Sequence, residues 1–122
     1  MNKMVSPLNE LQIKELKENH EVLSIPDDFD IVYEKQIPYA GIALIDGEIE
    51  LTKRSKFVES IKSGSLFGIY QLIHQEPIKV GCKVKKDSKI ILLGRSEILD
   101  SLKDSKSILF HLIKDYRKNE KS

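Results

Sequence analysis

The chain has 122 residues, a formal net charge of +1, 40% apolar and 32% charged residues, and one cysteine. That is the size of one domain, long enough to bury about two-thirds of its unfolded surface in a core without covalent staples. Near-neutrality argues against nucleic-acid or membrane electrostatics. A single Cys82 excludes an internal disulfide and a multi-cysteine metal site, and fits a reducing compartment.

No apolar run follows Lys3, so no signal peptide is visible. The aliphatic runs IALI (42–45) and IILL (90–93) fall far short of the ~20 residues a membrane span needs. The sequence alone therefore predicts a soluble cytoplasmic chain that enters neither membrane nor nucleic acid.

Taken in chain order, the first predicted element is a helix over about 7–19. Ser6 would be its N-cap, Pro7 its first residue and Asn19 its stop, with Leu8, Leu11 and Leu16 on the apolar side. From about 21 to 94 the period shortens. EVLSI, DIVYE, GIALI, EIELTK, KFVESI, IKVGCKV and KIILL recur every 8–12 residues, separated by turn residues, which predicts a mainly β sandwich or barrel. Asp46-Gly47, between two of these runs, predicts a type I′ hairpin. In EIEL, Ile49 and Leu51 alternate with Glu48 and Glu50, so that strand has one wet face.

After Gly94 a helical period returns over 96–118. Ser96 is a candidate cap for a short helix through Leu102. A longer helix begins at Asp104 or Ser105, with Ile108, Leu109, Leu112, Ile113 and Tyr116 on one stripe and Lys114, Arg117 and Lys118 in its last turn.

The order GIALIDGEIEL, then SGSLFG, then Pro77 resembles the cyclic-nucleotide-binding domain, the family of the catabolite activator protein and the regulatory subunits of protein kinase A. The resemblance covers about Leu8 to Tyr116, nearly the whole chain. It implies one domain over 1–122: an eight-stranded jelly-roll barrel with an N-terminal helix, C-terminal helices, and a ligand pocket under a phosphate-binding cassette at 65–82. The candidate pocket residues are Leu66, Phe67, Gly68, Ile69, Tyr70, Ile78, Lys79 and Val80.

The family's pattern places Glu directly after Phe-Gly, for the ribose hydroxyl, and Arg directly after the later Pro, for the cyclic phosphate. Here Ile69 follows Phe67-Gly68, and Ile78 follows Pro77. Each lost contact to a charged group costs about 1.5–3 kcal/mol. Two together cost roughly 3–6 kcal/mol, about 10²- to 10⁴-fold in affinity. Cyclic nucleotide is therefore disfavoured as a ligand, and no cofactor is expected. Lys79, next to the missing arginine, is the one residue here that could neutralise an anion, as a point charge without the guanidinium fork. A solvated lysine on an alternating strand is the plainer reading of it.

No catalytic or metal constellation stands out. His20, His74 and His111 lie far apart, and Asp27, Asp28 and Asp30 lack the pattern of a calcium loop. Lys83, Lys85, Lys86 and Lys89 read as a solvated tip, and Cys82 as a small buried hydrophobe. Two expectations follow. The preferred one is a non-catalytic regulatory or scaffolding module with a degenerate pocket, acting on another signalling protein in trans. The rival is a sensor of a cyclic nucleotide or other anion, held by the Gly68 backbone and Lys79. The terminal stripe would either form a homodimer or pack back on its own barrel.

Overall fold

The structure, a computed structural model, describes residues 5–107, 110, 111 and 113. Nine strands and three helices are found among them: β1 (Val5–Pro7), α1 (Glu10–Asn19), β2 (Leu23–Ser24), β3 (Phe29–Val32), β4 (Ala40–Asp46), β5 (Glu48–Lys53), β6 (Lys56–Lys62), β7 (Ser65–Phe67), α2 (Ile69–His74), β8 (Gly81–Val84), β9 (Lys89–Gly94) and α3 (Arg95–Ser101). They form two antiparallel sheets, ordered β1-β7-β4-β9-β2 and β3-β8-β5-β6. The expected mainly β jelly-roll is present, as two facing sheets that do not close into a barrel. The strand beyond the expected eight is β1.

GIALI, and KIILL after its exposed Lys89, are apolar at every position because the first sheet is covered on both faces. Ile42, Leu44, Phe67 and Ile90 point between the sheets, where they meet Ile49, Leu51, Cys82 and Val84 of the second sheet. Ala43, Leu66, Ile91 and Leu93 point the other way and join Leu16, Leu72, Ile98 and Leu102 of the helical layer. The second sheet has one wet face. Glu48, Glu50 and Lys83 project from it, as the alternation in EIEL predicts.

The helix starts later than expected. Ser6 and Pro7 lie in β1, paired with Leu66 and Ser65. Asn9 caps α1 instead, accepting from the Gln12 N–H at 2.8 Å, while Gln12 Oε1 accepts from the Asn9 N–H at 2.8 Å. This reciprocal box satisfies two otherwise orphaned donors, and Ser6 has no Glu or Gln three residues on to match it. Leu11, expected on the apolar side, is 65% exposed; Ile13 and Leu16 face the core instead.

Asp46-Gly47 is not a hairpin. β4 pairs with β7 and β9, and β5 pairs with β6 and β8, so this dipeptide is the corner at which the chain changes sheets. Gly47 is at φ +103°, and buried Ser88 occupies the space a side chain there would need. The Ser88 hydroxyl accepts from the Glu48 N–H at 3.0 Å, tying the corner down. The two-residue hairpin is β5–β6, turning at Arg54 and Ser55, both at positive φ. That is type I′ geometry built without glycine.

α3 begins at Arg95 behind Gly94, with no side-chain cap, so Ser96 lies inside the helix. Ile113 is fully buried in the helix-side core. Ile108, Leu109, Leu112 and Tyr116 lie outside the described residues. No helix among the described residues is long and apolar enough to cross a membrane.

Candidate functional site

The cassette runs from β7 through α2 to β8. Phe67 is wholly buried between the sheets, and its backbone pairs with Ile42 and Val5. Gly68 then turns at φ +80°, a conformation that glycine adopts with no steric cost. The Gly68 carbonyl accepts from the Leu72 N–H at 3.0 Å and starts the single-turn helix α2.

Within α2, Ile69, Leu72 and Ile73 pack on the helix side of the first sheet. Tyr70 is 7% exposed, and its ring centroid lies 4.4 Å from that of His74. Gln71 is also buried. The helix ends on Gln75, at φ +55°. Arg95 closes that end from α3: its Nε donates to Leu72 O at 3.1 Å, and its Nη2 to Ile73 O at 3.2 Å. A cation is favoured there because the last carbonyls of a helix carry the negative end of its dipole.

The return segment is held from the opposite side. Ile78 N–H donates to Gln36 O at 2.9 Å, and Lys35 N–H donates to Ile78 O at 2.7 Å. These bonds clamp residues 76–79 to the turn after β3. Ile78 is 1% exposed and belongs to the core between the sheets, with Val80 beside it in the same cluster.

Five of the eight pocket residues singled out in the sequence divide between two cores. Leu66 and Ile69 serve the helix-side core; Phe67, Ile78 and Val80 serve the inter-sheet core. Lys79 is exposed.

Lys79 lines a cleft of about 610 Å³. Its walls are Glu34 and Lys35 on one side, Lys53 at the end of β5, and residues 76–79 on the other, with exposed Pro77 contributing apolar surface. Gly68 is not among the lining residues of this cleft. Lys35 and Lys53 line it beside Lys79, and the sequence reading singled out neither. Lys53 had a signal, since the alternation that turns Ile49 and Leu51 inward continues to it. Lys35 had none, because only the long-range clamp on Ile78 brings it there. Glu34 Oε1 accepts from the Arg54 N–H at 2.9 Å and so is directed at the β5–β6 turn.

Charge elsewhere is mostly structural. Lys85 pairs with Asp28 at 2.8 Å and Glu50 at 3.4 Å. The Lys85 ammonium, then the Lys86 backbone N–H, hold the Asp28 carboxyl below the usual carboxylate range. The Ser60 hydroxyl lowers Glu48 in the same way. Burial pushes the Cys82 thiol up to about 12, which leaves no thiolate nucleophile near neutral pH. No group of three or more metal-ligating side chains comes together among the described residues.

No family sequence model matches the chain, and no curated protein matches it in sequence. Solved structures match its fold. One comes from work on a cyclic-GMP-dependent signalling pathway that regulates bacterial phytopathogenesis: TM-score 0.74, 13% identity, 90% of this chain and 91% of that one. The catabolite activator protein of Thermus thermophilus gives 0.68 at 14% identity, over 91% of this chain and 54% of that one. The EAL enzyme Bd1971, in a half-site-occupied form, gives 0.66 at 14% identity, over 84% of this chain and 96% of that one. The chain carries the fold of the cyclic-nucleotide-binding domains.

Proposed function

We propose that this chain is a non-catalytic regulatory or scaffolding module that keeps the cyclic-nucleotide-binding fold, does not bind cyclic nucleotides in the usual manner, and acts by contact with another protein. The observation that carries this reading is the position of Ile78. It follows Pro77, where the resemblance calls for the phosphate-binding arginine, and its side chain is 1% exposed in the inter-sheet core. A cyclic phosphate brought there would lose water without gaining a cation, an uncompensated desolvation. Ile69, where the ribose carboxylate would stand, is packed into the helix-side core and offers no acceptor.

Contact with a partner is supported by the large apolar side chains on the surface. Phe57 is 62% exposed and Val58 50%, both on β6, the edge strand of its sheet. Tyr33 and Tyr39 are exposed as well. Phe57 and Val58 are adjacent on an unpaired sheet edge, and contiguous exposed apolar surface commonly marks an interaction site.

A thermal-shift series with cyclic mono- and dinucleotides at millimolar concentration tests the reading. A ligand present at 100 times its dissociation constant adds about 2.7 kcal/mol, which raises Tm by several degrees or more in a domain of this size. The proposal predicts no shift with any of them. A dose-dependent rise with cyclic AMP or cyclic GMP would sink it.

A further inference from the structure

The cleft beside the cassette has features of a ligand site that the missing cyclic-nucleotide contacts do not account for. Its volume, about 610 Å³, is of small-molecule size. Pro77 and the aliphatic stems of lysines give it apolar walls. Three lysines line it, Lys35, Lys53 and Lys79, and none of them makes an ion pair among the described residues. Two carboxylates share the lining. Glu34 is directed at the Arg54 amide, which leaves Glu76 against the three cations.

The backbone at Lys35 is a second, independent observation. Lys35 sits at φ +73°, where a side chain carries a steric penalty and glycine carries none. Its N–H donates to Ile78 O, a bond that glycine would make equally well. The fold thus holds a lysine where glycine would be easier, on the wall of the cleft.

We propose that this cleft binds an organic anion with an apolar body, its acidic group held by Lys35, Lys53 and Lys79. The ligand class is a carboxylate, sulfonate or phosphate ester carrying an aliphatic or aromatic portion that lies against Pro77 and the lysine stems. Lysines suit it as point charges that do not demand the planar, two-pronged geometry an arginine would impose. The inference rests on the preceding reading only in taking the cyclic nucleotide as the wrong ligand for this cleft.

The test uses 8-anilinonaphthalene-1-sulfonate as the probe and neutral N-phenyl-1-naphthylamine as its uncharged counterpart, on the full chain under conditions where it melts cooperatively. The sulfonate should bind saturably at one site and weaken at least tenfold in Lys35→Gln/Lys53→Gln/Lys79→Gln. Raising salt should weaken it too, since exposed charges are screened. The neutral dye should respond to neither change. Lys35→Gly separates binding from folding, because it should keep or raise Tm while weakening the sulfonate. Equal sulfonate binding by the triple variant and the parent, or no saturable binding by the parent, overturns the proposal, as does unchanged binding by Lys35→Gly. Displacement of the sulfonate by cyclic AMP would leave the anion site standing and contradict the preceding reading instead.

Discussion

Ile69 lies over Gly41: a Cβ built on residue 41 would stand 2.1 Å from Ile69 Cδ1 and 3.3 Å from Ile69 Cγ1. The cassette helix therefore rests directly on the backbone of β4, and the residue after Gly68 acts as a packing residue on the helix side of the first sheet. Gly41→Ala should destabilise the fold by about 1–3 kcal/mol, the usual cost of forcing volume into a packed core. Ile69→Ala should cost about 2–5 kcal/mol. The double variant should cost less than the sum of the two, because each change relieves the other. Urea denaturation of all three checks this, and strict additivity would contradict the contact.

Arg95 links α3 to the end of α2 through the carbonyls of Leu72 and Ile73. Arg95→Ala should lower stability by about 1–3 kcal/mol, the range of hydrogen bonds to a charged group. Arg95→Lys should restore only part of it, since an ammonium cannot reproduce the fork. Hydrogen exchange should speed up first in α2. A uniform change across the chain would argue that Arg95 is not a specific clip.

The Asp28–Lys85 pair predicts a dependence on pH. Asp28 is held below its usual value of 3.8 in the folded chain, so its contribution is present above the unfolded pKa and is lost as pH falls through the lower folded value. Lys85 is raised, so its contribution is present below the unfolded pKa and is lost as pH rises through the higher folded one. The stability difference between the parent and Asp28→Asn should thus be full near neutral pH, begin to shrink as pH falls through the ordinary Asp range near 3.9, and vanish only below the lowered folded value. Denaturation midpoints measured from pH 7 to pH 2 test this; a gap that does not shrink at all as pH falls from 5 to 2 would rule out the carboxylate as its source.

Cys82 should resist thiol reagents. Its sulfur is buried and its pKa is pushed up to about 12, so reaction with a disulfide reagent at pH 8 should wait on unfolding. The rate should follow the population opened by urea. Rapid labelling of the folded chain would contradict the buried placement.

The legible parts of this fold are those fixed by local pattern. GIALI and KIILL announce a sheet covered on both faces, EIEL a sheet wet on one, and Phe67-Gly68 a turn that needs positive φ. The start of α1 was also legible in Asn9 and Gln12, but Ser6-Pro7 mimics a helix start and belongs to a strand. Other features depend on distant partners. Asp46-Gly47 has hairpin chemistry, yet Ser88, far along the chain, makes it a corner. Arg54 and Ser55 form the tight turn with no glycine to signal it. The division of Ile69 and Ile78 between two cores is set by how α2 sits on β4, and the cleft lysines meet through the Lys35–Ile78 backbone bond. Neither relationship has a sequence spacing of its own.

The central claim is that the cassette keeps its shape without the chemistry that holds a cyclic phosphate. Titrating isotopically labelled chain with cyclic AMP and cyclic GMP to millimolar concentration, while following the amide signals of Gly68, Ile69, Ile78 and Lys79, tests it most directly. These four signals should stay in place, with no saturable change. Saturable shifts centred on Gly68 and Ile78, with a micromolar dissociation constant, would contradict it.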